Sequence, residues 1–174
     1  TSKYRPSGDH AKWLESAAYN LYLYPNNPDL KEKMEEVINL ICNAQQKDGY
    51  LNIYFTVVAP EKRWTNLRDR HELYCAGHLM EAAVALHEYL QDDRLLNTMK
   101  DYADYIDSIF GGEEGKMRGY PGHQEIELAL VKLSKATDEK KYLELSKYFV
   151  TERGRYPYYF DIEAKKRGEG VKDT

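Results

Sequence analysis

His71-Glu72-Leu73-Tyr74-Cys75 begins like the metalloprotease signature His-Glu-x-x-His, but its fifth residue is a cysteine, so the second imidazole of that motif is missing. His71, Cys75 and His78 instead stand at i, i+4 and i+7. On a helix these positions share one face, and a mixed imidazole and thiolate set could hold a metal ion through three donors at most. The competing reading is a core cysteine between two histidines that bond polar loop groups. We therefore assign no metal ligand from the sequence and keep His71, Cys75 and His78 as the alternative.

A second constellation lies in the loops. Tyr50, Tyr54, Phe55, Trp64 and Tyr120 stand beside Asn52, Arg63, Asn66, Arg68, Asp69 and His123. Rings that stack on C–H faces, next to amide, carboxylate and guanidinium groups that bond hydroxyls, suit a sugar. The same aromatics also suit ordinary packing of loops against helix ends. Glycoside hydrolysis needs two carboxyl-type groups, or a replacement nucleophile, about 5 to 10 Å apart. Glu72, Glu81, Glu125 and Glu127 are available, but Glu81 and Glu127 repeat the position of Glu15 and read as inter-helix pairing or capping residues. Cys42 lies on an apolar helix stripe with nothing nearby to ionise it. The glycines of Gly111-Gly112-Glu113-Glu114-Gly115 carry acidic neighbours that repel phosphate.

The elements that must position these groups show an internal repeat. Segments starting at Glu15, Glu81 and Glu127 each open Glu-x-Ala and reach Leu30, Leu96 or Tyr142 early in a second helix. Polar breaks at Pro25-Asn26-Asn27-Pro28, Gln91-Asp92-Asp93 and Thr137-Asp138 precede those second helices and offer Asn or Asp caps. Apolar spacing then follows at Leu30, Met34, Val37, Ile38, Ile41, at Leu95, Met99, Tyr102, Ala103, Ile106, and at Tyr142, Leu145, Phe149. Gly49, Gly111-Gly112 and Gly154 are expected as left-handed ends. The first helix of each pair is Ala-rich and the second charged, which predicts an inner and an outer helical layer. Long connections at residues 49–70 and 111–122 precede inner helices and gather at one end, with His10, His78 and His123 near them.

Composition bounds the function. The 174 residues carry 25 Lys plus Arg against 29 Asp plus Glu, a net charge of −4, which gives no field for nucleic acid. Charged or amide residues interrupt every apolar stretch before the roughly 20 residues that a bilayer span requires. Two cysteines are too few for a disulfide scaffold. With no leader pattern ahead of the first helix, the cytoplasm is favoured over secretion, although the compartment is not fixed. Thr1 in place of Met suggests a boundary inside a longer protein. The run Tyr156-Pro157-Tyr158-Tyr159-Phe160 is too aromatic for a free tail and is expected to dock on a part of the protein outside this chain.

Four strings carry a family resemblance: Ala44-Gln45-Gln46-Lys47-Asp48-Gly49-Tyr50-Leu51-Asn52, Arg63-Trp64-Thr65-Asn66-Leu67-Arg68-Asp69, His71-Glu72-Leu73-Tyr74-Cys75-Ala76-Gly77-His78, and Gly119-Tyr120-Pro121-Gly122-His123. In this order they resemble the N-terminal part of the catalytic domain of glycoside hydrolase family 127, the β-L-arabinofuranosidases. The resemblance implies an all-α fold, with residues 1–174 forming three hairpins, about half of an (α/α)6 toroid. It implies retaining hydrolysis of L-arabinofuranosides, in which a zinc-bound cysteine thiolate is nucleophile and a glutamate is acid/base. It also implies that His71 and His123 match pocket histidines. Neither Cys42 nor Cys75 matches the nucleophile, so no catalytic residue and no zinc are expected in this piece.

The expectation is thus a fragment of a zinc-dependent glycosidase, inactive alone, with substrate-binding residues His71 and His123 and with Trp64 and Tyr120 as walls. The alternative is a helical-repeat module that binds carbohydrate or protein without catalysis. The expected partner is an L-arabinofuranoside-containing glycan, with no nucleic acid or membrane partner. Self-association through the uncovered half ring is a further expectation.

Overall fold

The computed structural model describes residues 8–169. Alternation of Ala-rich and charged amphipathic segments resolves into helices α1 (Gly8–Leu23), α2 (Pro28–Asn43), α3 (Glu72–Leu90), α4 (Arg94–Ile109), α5 (Ile126–Thr137), α6 (Lys140–Arg153) and α7 (Tyr159–Lys166). The first six form three antiparallel pairs. The fold is all-α, and among the described residues the only β feature is an isolated bridge between Phe110 and Met117.

α3 packs chiefly on α1 and α5, so the first helices of the three pairs make one layer, and α2, α4 and α6 cover it from outside. The residue types explain the difference between layers. Ala82, Ala83, Ala85 and Leu86 of α3 are buried, and small side chains let α1 and α5 approach from both sides. α4 buries the stripe of Leu95, Met99, Tyr102, Ala103 and Ile106 together with Leu96 and Thr98, and α6 buries Tyr142, Leu145 and Phe149 with Ser146 and Glu152. Burial of such side chains contributes about 1.5–3 kcal/mol each. Among the described residues, no helix is long and apolar enough to cross a membrane.

The expected caps are realised at α2 and, through Asp92 Oδ1 accepting the Arg94 N–H at 3.0 Å, at the start of α4. The Asn27 side chain accepts from Leu30 N–H at 3.1 Å with Pro28 in the first turn of α2. Asp93 does not cap α4; its carboxylate contacts His87 Nδ1 at 2.6 Å instead. Asp138 ends α5 in a left-handed conformation (φ 55°), as Gln91 ends α3 (φ 57°), so the short turns close through these two residues. The glycine expectation fails accordingly. Gly154 is right-handed (φ −91°), neither Gly111 nor Gly112 has positive φ, and Gly49 (φ 90°) lies in the loop beyond α2, against Asp101.

Of the aromatic C-terminal run, Tyr159 and Phe160 dock on this chain, while Tyr156 and Tyr158 are 82 and 49 % exposed. α7 folds back so that Phe160 stacks on Tyr120 with centroids 4.4 Å apart, and buried Glu163 accepts Leu67 N–H at 2.6 Å while pairing with Arg167 at 2.6 Å. Sequence periodicity offered no partner for the run, because Tyr120 and Leu67 sit in loops. α7 thereby clamps together the two long connections that lead into α3 and α5.

Candidate functional site

Both long connections end at a histidine. His71 precedes α3 in a left-handed conformation (φ 60°) that a residue other than glycine adopts only at some cost. What holds the backbone there is Glu72, 1 % exposed, whose carboxylate reaches back into the loop. It accepts Tyr50 O–H at 2.6 Å and the N–H of Trp64, also left-handed (φ 58°), at 2.9 Å. Burial raises the Glu72 carboxyl to about 7, against the pull of those two bonds and of the Arg63 charge. The Arg63 guanidinium lies 3.8 Å from the Tyr50 ring centroid, and its Nε donates to Phe55 carbonyl oxygen at 3.1 Å.

The connection before α5 is pressed onto the first. Gly122 N–H donates to Leu67 carbonyl oxygen at 3.2 Å, and a Cβ at Gly122 would lie 2.1 Å from the carbonyl oxygen of Arg68. Only glycine permits that approach, and it delivers His123 to His71. Their ring centroids are 4.9 Å apart and the planes are inclined by 30°. His71 is half-buried and His123 exposed, so the pair forms one polar face at the open end of the helix layer.

Tyr74 completes this face. Its ring centroid lies 5.7 Å from that of His71, 5.4 Å from His123 and 4.5 Å from His78. Lys12 of α1 donates to the Tyr74 hydroxyl oxygen at 2.8 Å. Tyr74 is not among the sequence candidates, although a tyrosine one turn before His78 on the same helix, close after His71, carried the signal. The two proposed walls go elsewhere. Trp64, 7 % exposed, packs against Tyr50 and Phe110, and Tyr120, 4 % exposed, packs against Phe160 and Tyr159. Both turn into the core and brace the loops, because their ring neighbours are aromatic rather than the imidazoles.

Below Tyr74 lies a polar cluster between α3 and the start of α5. His78 Nδ1 is 2.9 Å from Glu125 Oε1 and 3.7 Å from Glu81 Oε2, and Lys132 of α5 pairs with Glu81 Oε1. Burial and then the Lys12 charge hold His78 below its usual value. Burial, then bonding to Glu81 and its charge, raise Glu125. In Glu81 burial is outweighed by the bonds to Glu125 and Lys132, and its carboxyl lies low. Glu127, in the same repeat position as Glu81, pairs with Arg153 at 3.1 Å, and Glu15 accepts the Tyr19 hydroxyl at 2.9 Å; all three repeat glutamates serve in contacts between side chains.

The alternative metal triad is not assembled. His71 stands ahead of α3 with its ring against that of His123, and it shares no group of metal-type donors with Cys75 and His78. Among the described residues, the one group of three metal-type donors is His78, Glu81 and Glu125. It includes neither cysteine, and neither is in a disulfide. A zinc ion held by cysteine thiolates therefore does not fit the described part of this chain. His10 is exposed on α1 and makes no ring contact with the cluster.

Comparison with known proteins agrees with the fold and the loop strings. Residues 6–172 match the family model described as beta-L-arabinofuranosidase, GH127 catalytic domain. A non-reducing end beta-L-arabinofuranosidase of Bifidobacterium longum subsp. longum is 43 % identical over 161 residues, covering 90 % of this chain and 24 % of that protein. The crystal structure of a GH127 beta-L-arabinofuranosidase from Geobacillus stearothermophilus T6 superposes with a TM-score of 0.91 at 51 % identity, over 98 % of this chain and 27 % of the other. A second solved structure, the GH127 beta-arabinofuranosidase BT3674, gives a TM-score of 0.77 at 33 % identity, over 88 % and 26 % of the two chains. The chain thus spans about a quarter of the length of these relatives. With the match running through both histidine-bearing loops and every residue described, the chain belongs to the GH127 beta-L-arabinofuranosidase catalytic-domain family.

Proposed function

We propose that this chain forms one part of the sugar-binding half of a β-L-arabinofuranoside hydrolase built on an (α/α)6 toroid. The observation that carries the reading is the convergence of His71 and His123 from two separate loops, with Tyr74 beside them. Two imidazoles on one open face can each donate or accept a hydrogen bond, which fits adjacent hydroxyls of a furanose, and the tyrosine ring offers an apolar surface to its C–H groups. At 4.9 Å the rings are too close to admit a sugar between them, so the pentose lies across their edges. The nucleophile and the acid/base belong, on this reading, to segments other than residues 8–169. Zinc, as cofactor of the family, would be held there by thiolates and would stabilise the ionised sulfur. Residues 1–174 alone are then inactive.

The test is a chimera in which residues 6–172 replace the matching segment of the Bifidobacterium enzyme. Hydrolysis of an aryl β-L-arabinofuranoside by the chimera, lowered by His71→Ala and by His123→Ala, supports the proposal. A folded chimera with no turnover, or one whose kinetics ignore both substitutions, counts against it.

A further inference from the structure

We propose that His78, Glu81 and Glu125 form a binding site for a divalent first-row transition-metal ion, held between α3 and the N-terminal end of α5. The ligand atoms of the three residues lie within 4.8 Å of one another. Metal–ligand bonds of about 2.0–2.2 Å to imidazole and carboxylate, at tetrahedral or octahedral angles, require donor separations of about 2.8–3.6 Å. His78 Nδ1 stands 2.9 Å from one carboxylate oxygen, inside that range, and 3.7 Å from the other, just beyond it. The two imidazole-to-carboxylate separations thus need only small shifts to share an ion.

The second observation is that His78 lacks a proper partner. The residue is 9 % exposed, yet neither Nδ1 nor Nε2 makes an aligned hydrogen bond, and Glu125 Oε1 is likewise buried and unsatisfied. The 2.9 Å approach of Nδ1 and Oε1 is a close contact off the N–H axis. Buried imidazoles without a hydrogen bond are costly, and two donors that face each other off-axis are what an ion between them would relieve.

The surroundings hold the donors in place. Gly77 has no room for a side chain, since a Cβ there would come within 2.8 Å of Glu125 Cγ and of Ile126 N. That contact brings the start of α5 against His78. Lys132 engages Glu81 Oε1 and leaves Oε2 to the site, and the Tyr74 ring meets the His78 ring edge-on at 4.5 Å. Lys12 and Lys132 are the cations that face the trio, and with the N-terminal end of α5 they weaken the attraction for a metal. Imidazole with two carboxylates suits zinc, manganese or iron better than calcium, which takes oxygen donors. Three protein ligands leave at least one position for water. The site contains no thiolate and is not offered as the zinc that the family resemblance implies.

The experiment titrates the tag-free 174-residue chain with Zn²⁺ and with Co²⁺. One equivalent of Zn²⁺ should remain after dialysis against metal-free buffer, and bound Co²⁺ should show visible d–d bands without thiolate charge transfer. Glu125→Gln and His78→Gln should each weaken binding at least tenfold with helicity by circular dichroism retained, whereas a Cys42→Ser, Cys75→Ser double variant should bind as before. Retention below a tenth of an equivalent overturns the site, as does unchanged binding in folded His78→Gln or loss of binding in the cysteine variant. Should the His78 and Glu125 variants unfold, the Co²⁺ spectrum of the unsubstituted chain decides, and a sulfur charge-transfer band counts against the proposal.

Discussion

The imidazoles of His71 and His123 face one another at 4.9 Å although 123 − 71 = 52 residues separate them. Two loops, a glycine contact at Gly122 and the α7 clamp are needed to bring them there. If this face binds the sugar, truncating either histidine removes hydrogen bonds worth about 0.5–3 kcal/mol each. In the chimera with the Bifidobacterium enzyme, kcat/KM for an aryl β-L-arabinofuranoside should fall at least several-fold in His71→Ala and in His123→Ala. Thermal melting should stay close to that of the unsubstituted chimera.

The isolated 174-residue chain should show no turnover of the same substrate. Among the described residues the one group of three metal-type donors contains neither cysteine, and Cys75 is buried. Discontinuous assays with and without added Zn²⁺ check this. Activity that survives purification and disappears in Cys75→Ala would make Cys75 the nucleophile and reverse the reading.

Glu72 should give the fold an acid-side stability. Its usual value of 4.5 in the unfolded chain rises to about 7 when buried, so between those pH values the folded state keeps a proton that the unfolded state releases. Its contribution is full below pH about 4.5 and declines as pH rises to 7, by up to about 3 kcal/mol. Glutamine resembles the protonated form, with an oxygen for Trp64 N–H and an amide donor for the Tyr50 oxygen. Urea denaturation of Glu72→Gln and of the unsubstituted chain should therefore converge near pH 4.5 and separate towards pH 7.5, with the variant the more stable. Parallel curves across this range would refute the assignment.

Exposed apolar residues on the third hairpin predict association. Leu128, Leu143 and Val150 are 53, 44 and 61 % exposed. Sedimentation velocity should show a mass that rises with protein concentration, and Leu143→Lys with Val150→Lys should lower it. A single monomeric species over a hundredfold concentration range would defeat this expectation.

The helices and their layering were legible in the sequence because a 3.6-residue apolar period survives in α2, α4 and α6, and because alanine content marks α3. Loop residues carry no such period. Trp64 and Tyr120 read as a sugar platform, yet nothing in their spacing says whether a ring points out or in, and the core claims both. The roles of Glu72 and Glu125 were illegible for the same reason: their partners are a backbone N–H, a phenol and a histidine from other segments. The pairing of His71 with His123 was suggested by family resemblance and by their shared place ahead of inner helices.

α3 is covered on three sides, by α1, α4 and α5, and from Glu72 to Leu86 only Tyr74 has appreciable exposure. Its backbone amides therefore have no local route to solvent. Deuterium should enter Ala82 and Ala83 only when a neighbouring helix detaches, so α3 is expected to exchange last and to report the free energy of opening the whole helix layer. A frayed α2 or α6 would leave that rate unchanged, which makes exchange in this one helix a gauge of whether any added segment, sugar or ion stabilises the entire assembly or merely the surface it touches.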